Sequence, residues 1–185
     1  LVEPNPHAYL IMDACREEFG TDLALINAGN IRGHFDEGKL TERKVFEVVP
    51  LKNRMVKMKL TEEEVVNALK NGAKSLINPG HKPSIVMPSG LEYTMNRKGE
   101  VLSAAFIDKE GVKHPIDVNH PDKNKIYTVA TDDFFASGGD KLIPNKINEI
   151  DERFDFDKDK LTCQYIKKQG KPVQIKDDGR IKIID

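Results

Sequence analysis

Arg54-Met55-Val56-Lys57-Met58-Lys59-Leu60-Thr61-Glu62-Glu63-Glu64-Val65-Val66-Asn67-Ala68-Leu69 changes period in the middle. Val56, Met58 and Leu60 alternate with Lys57 and Lys59, the signature of a half-buried strand. Thr61 and Glu64 then fit a capping box. Val65, Val66, Ala68, Leu69 and Ala73 continue at helical spacing as one amphipathic face. A strand running straight into a helix excludes an all-α or all-β domain.

The same mixture recurs on both sides of this stretch. Pro6–Phe19 reads as a helix stopped by Gly20. Residues 23–26 form an apolar run of strand length, and Thr41 caps a short helix to about residue 46. Residues 85–86 are a brief strand. Residues 91–95 and 101–107 form a hairpin around 96–99. Residues 126–130 are a further strand, and 134–141 a glycine-rich turn opening onto a helix. Residues 147–154 and 158–168 are helical candidates, the second capped by Asp157. Residues 173–175 and 180–184 read as a closing hairpin around Asp177-Asp178-Gly179. The pattern is one mixed α/β (α+β) domain covering residues 1–185, without repeat or linker.

Composition narrows the function. The 185 residues carry 29 Lys plus Arg against 30 Asp plus Glu, a net charge of −1. Nucleic-acid or membrane binding driven by bulk positive charge is excluded. No apolar run approaches the ~18 residues of a membrane span. The chain opens on Leu1 with no signal-peptide pattern, so it reads as a piece of a longer protein. Cys15 and Cys163 have neither disulfide-framework nor metal spacing and read as core thiols. His7, His34, His81, His114 and His120 form no metal motif and read as solvated loop residues. No nucleotide-phosphate P-loop, Gly-x-Ser-x-Gly or Cys-x-x-Cys is present. No catalytic residue is assigned.

Three loops stand out. Asn27-Ala28-Gly29-Asn30-Ile31-Arg32 joins open backbone to a planar guanidinium suited to carboxylate or phosphate. Pro88-Ser89-Gly90 is a second open backbone. Asp133-Phe134-Phe135-Ala136-Ser137-Gly138-Gly139-Asp140 combines aromatics, a double glycine and an acid. An aromatic face stacks on a planar base, and a carboxylate accepts from hydroxyls. Together the loops suit a planar, hydroxylated, anionic ligand. Singly, each also reads as a tight turn beside core aromatics.

In order and spacing these loops, together with Gly179-Arg180-Ile181, resemble the C-terminal domain of the 5′-nucleotidase family, across nearly the whole chain. The resemblance implies a four-layer α-β-β-α domain that holds a nucleotide or nucleoside. It puts Asn27 on the base and Arg32 near the ribose or phosphate. Phe134 becomes a stacking jaw, Asp140 an acceptor of ribose hydroxyls, and Gly90 open backbone near the ligand. Leu51 falls where the family has its second stacking aromatic. The resemblance also implies that divalent metals, as a two-metal site, and the catalytic residues belong to an N-terminal metallophosphoesterase domain of the same parent protein. None of that domain's signatures occurs in this chain. No cofactor is expected in this domain, and the implied setting is extracellular, periplasmic or cell-surface. The alternative is a drifted family member serving as a non-catalytic ligand-binding or surface-interaction module.

Overall fold

The computed structural model describes residues 3–50, 52–78, 80, 82, 84–154 and 157–185. Helix α1 (Pro6–Phe19) begins where the Asn5 side chain accepts from His7 N, with Pro6 in the first turn. Both features satisfy or remove donors that a helix start leaves unpaired. Strand β1 (Leu23–Asn27) follows and is buried along its whole length. Thr41 accepts from Lys44 N to start α2 (Glu42–Val48). Strand β2 (Met55–Thr61) and α3 (Glu62–Lys74) follow the period change, and the capping box between Thr61 and Glu64 is present in both directions.

Strands β3 (Val86–Ser89), β4 (Leu91–Asn96), β5 (Val101–Ile107), β6 (Lys113–Ile116) and β7 (Ile126–Asp132) come next. Then follow the one-turn helix α4 (Asp133–Ala136), β8 (Ile150–Phe154), α5 (Lys158–Gln169) and β9 (Ile181–Ile184). They build two sheets, ordered β3-β1-β7-β2-β8 and β6-β5-β4-β9. Helix α1 lies on β1, β3 and β7 and packs against α5, while α3 touches β2 and β3 of one sheet and β5 of the other. The expected mixed α/β class with two sheets and covering helices is what forms. Cys15 and Cys163 are free and buried. Burial pushes the Cys15 thiol up to about 12, as befits an unreactive core thiol.

Several local expectations need correction. Residues 147–154 are not a helix: a single 3₁₀ turn at Ile147–Glu149 leads into strand β8, which pairs antiparallel with β2. Ile147, Ile150 and Phe154 imitate helical spacing, but the free edge of β2 supplies the backbone partners, and Phe154 stacks on Phe19 at 4.2 Å between ring centroids. The closing hairpin also fails. Residues 173–175 form no strand, and β9 pairs in parallel with β4. Strand β6 has no apolar alternation; it carries Pro115 at the sheet edge, where a missing N–H is tolerated. Pro88 and Ser89 lie inside edge strand β3 rather than in a loop. Asp157 takes the N-cap backbone position of α5 without a side-chain cap bond. His7 sits in the first turn of α1, where its Nδ1 accepts from Phe35 N at 3.0 Å. His114 lies in β6 and contacts Asp108 at 2.8 Å.

Sheet register places the site. Asn27 ends β1 opposite Val86 at the start of β3. Met55 at the start of β2 pairs with Asp132 at the end of β7. Strands β1 and β7 are parallel. The carboxyl ends of β1 and β7 and the amino ends of β2 and β3 therefore share one edge of the five-stranded sheet. Open α/β sheets tend to hold ligands outside the carboxyl ends of their strands.

Candidate functional site

At that edge a cleft of about 290 Å³ is lined by Asn27, Gly29, Asn30, Arg32, Asn53, Lys82, Ser84, Phe134 and Asp140. It is close to the lower size limit of small-molecule pockets, ~300 Å³. Asn27 is buried, and its Nδ2 donates to Asp140 Oδ2 at 2.6 Å. Ser84, also buried, donates from Oγ to the same oxygen at 2.5 Å. Both bonds hold the carboxylate through Oδ2. Asn30 Nδ2 donates to Asn27 Oδ1, which fixes the orientation of the Asn27 amide.

The backbone around Asp140 is unusual. Asp140 has φ 54° and Lys141 φ 57°, both in the left-handed region that few non-glycine residues occupy. Such conformations cost roughly 1–3 kcal/mol and persist where the surroundings impose them, often at functional sites. Asn27 and Ser84 are part of those surroundings. Directly before them, Gly139 has no side chain because none fits: a Cβ there would overlap the Phe134 ring. The ring therefore packs directly against the Gly139 backbone, and Phe134 is 38% exposed. Its neighbour Phe135 is fully buried, so the aromatic pair divides into one core residue and one that opens onto the cleft.

Arg32 follows the turn of residues 28–30. Its backbone N–H donates to Val48 O at 2.8 Å, while its side chain is exposed and makes no ion pair among the described residues. The structure thus brings together Asn27, Arg32, Phe134 and Asp140. It does not bring Gly90 to them. Ser89 pairs with Ala24, so Gly90 follows the far end of β3, against Arg16 and Asp22. Leu51 lies outside the described residues. Asn30 belongs to the same conspicuous loop as Asn27 and Arg32, whereas nothing local marks Asn53 or Ser84; the sheet register delivers those two to this edge.

Other concavities are larger. Two grooves of about 490 Å³ flank α1, and both include Asp13 and Tyr165 in their walls. Arg180, in one of them, is already committed to Asp13 at 2.7 Å and to Asp178 at 2.6 Å. Among the described residues no group of three or more His, Cys, Asp or Glu side chains is placed to hold a metal ion. No helix among them is long and apolar enough to cross a membrane.

Fold and cleft define a mixed α/β domain with a polar, aromatic-walled site at the end of its five-stranded sheet. The chain matches the family model of the 5′-nucleotidase C-terminal domain over residues 3–145. It is 30% identical over 171 residues to the trifunctional nucleotide phosphoesterase protein YfkN of Bacillus subtilis, covering 90% of this chain and 11% of that protein. The 5′-nucleotidase precursor of Thermus thermophilus aligns with a TM-score of 0.77 at 29% identity, covering 96% of this chain and 35% of that one. The NAD nucleotidase of Haemophilus influenzae shares the fold, with a TM-score of 0.80 at 19% identity over 96% of this chain and 33% of that one. The chain belongs to the 5′-nucleotidase C-terminal domain family. It spans about a tenth of YfkN and about a third of the two solved structures.

Proposed function

We propose that this chain is the nucleotide- or nucleoside-binding domain of a metal-dependent, 5′-nucleotidase-type phosphohydrolase acting in nucleotide breakdown. The observation that carries this is the convergence of one exposed ring, one carboxylate held in place by Asn27 and Ser84, and one exposed guanidinium on a single cleft. Phe134 stacks on the base, a contact worth roughly 1–3 kcal/mol. Asp140 accepts from the ribose hydroxyls through Oδ1, and Arg32 meets the phosphate with a charge-assisted bond. Asn27 acts first by aiming Asp140, with its second amide N–H left for the base edge.

In this proposal the chain binds and orients, and the phosphoester is cleaved in an N-terminal metallophosphoesterase domain of the same parent protein. Two divalent ions there would activate water and polarise the phosphate. The family likeness also supports an exported or cell-surface setting for the parent. Leu51, in place of a second aromatic, favours one other reading: a drifted, non-catalytic binding module. A thermal-shift screen of nucleosides against glycans and peptides separates the two, since only the first proposal expects a nucleoside shift.

Titration calorimetry with adenosine and AMP tests the pocket. Wild-type chain should release heat on binding, and Phe134→Ala and Asp140→Ala should each lose most of it. Equal heats from all three would remove the assigned site.

A further inference from the structure

Lys158 and Asp132 break the way this chain otherwise treats charge. Their side chains are 2% and 0% exposed, with Lys158 Nζ 3.6 Å from Asp132 Oδ2. Desolvating two charges costs more than their attraction returns unless further hydrogen bonds complete the pair, and apolar residues of similar volume often serve stability as well or better. The bonds that complete this pair run to the walls of the cleft. Asp132 Oδ1 accepts from Phe135 N at 2.9 Å and so caps α4, the turn that carries Phe134. Asp132 Oδ2 accepts from Asn53 Nδ2 at 3.2 Å, and Lys158 Nζ donates to Asn53 O at 3.3 Å. From Asn53 the chain of contacts continues to Asn30 Oδ1 at 3.3 Å, then to Asn27 and Asp140. Helix α5, which supplies Lys158, lines none of the cleft itself.

We infer that Lys158 is a positioning residue: through its buried pair with Asp132 it holds the α4 turn bearing Phe134 and the Asn53 turn at one spacing, and so sets the width of the cleft. The effect on affinity rests on the proposed nucleotide-binding role, whereas the effect on the two turns does not.

Lys158→Met alone strands a buried carboxylate and can fail to fold. The decisive variant is Lys158→Met/Asp132→Asn, which removes both charges and keeps a side-chain oxygen at the α4 cap. Its Tm should stand at or above the wild-type value. Amide hydrogen exchange should accelerate roughly tenfold or more in residues 52–54 and 133–138, with α1 and α3 unchanged. AMP affinity by calorimetry should fall about tenfold, the usual penalty scale for loosened support of a site. Unchanged exchange in both segments overturns the inference. So does a fall in Tm with exchange raised evenly across all elements, which is what a purely stabilising pair would give. If the wild-type chain binds no AMP, the proposed function fails, and the exchange comparison still decides the role of Lys158 by itself.

Discussion

Asn27 and Asp140 stand 113 residues apart in sequence, yet the Asn27 amide donates to Asp140 Oδ2 at 2.6 Å. The bond ties the first conspicuous loop to the last one, across the end of the sheet. Ser84 adds a second donor to the same oxygen at 2.5 Å. Ser84→Ala removes a hydrogen bond to a charged group and should cost about 1–3 kcal/mol of stability in a urea titration. It should also weaken AMP binding, because Asp140 then rotates on one support instead of two.

Gly139 carries a prediction about the ring. Its φ is outside the left-handed region, so the backbone accepts alanine there. The new methyl, however, meets the Phe134 ring and must lift it. Gly139→Ala should therefore fold, and calorimetry should show adenosine binding weakened by up to roughly 1–3 kcal/mol, the worth of one stack.

Gly90 makes the opposite case. It has φ 77°, and a Cβ would come 2.5 Å from Asp22 O and 2.8 Å from the Arg16 guanidinium. Gly90→Ala should lower stability by about 1–2 kcal/mol or more, from the left-handed backbone alone. Nucleoside affinity of the folded fraction should be unchanged, because Gly90 lies at the far end of β3 from Asn27.

His7 gives stability a pH dependence. Burial, helped by the nearby His34 charge, holds its imidazole below the usual histidine value. Neutral Nδ1 accepts from Phe35 N at 3.0 Å, a bond that protonation would abolish. The unfolded chain thus binds this proton more readily than the folded one. Stability should be fully present above the ordinary histidine value of about 6.5 and should decline as pH falls from there toward the lowered folded value. His7→Gln should flatten that slope in denaturant titrations between pH 7 and 5.

Legibility followed the range of the interactions involved. The capping box at Thr61 and Glu64 and the alternation of β2 are local, and both appear where the sequence puts them. The loops bearing Asn27, Arg32, Phe134 and Asp140 are equally visible, since open backbone, aromatic and charge lie within a few residues of one another. What could not be read was pairing. The 3- and 4-residue spacing of Ile147, Ile150 and Phe154 favours a helix until the edge of β2 is present to bind them. Val173 and Ile175 alternate like a strand but find no partner strand, because β4 takes β9 instead. Nothing local in the sequence sets Asp132 apart from the chain's other acids. Its burial against Lys158 depends on how α5 packs, and the meeting of Asn53 and Ser84 with the Asn27 loop depends on sheet register.

The most direct test is a titration of the ¹⁵N-labelled chain with AMP, followed by amide chemical shifts. The account predicts saturable shifts at Gly29, Asn53, Ser84, Phe134, Gly139 and Asp140, with Ser89 and Gly90 unmoved. Shifts confined to the grooves beside α1, or to Ser89 and Gly90, or no saturable shifts at all, would contradict it.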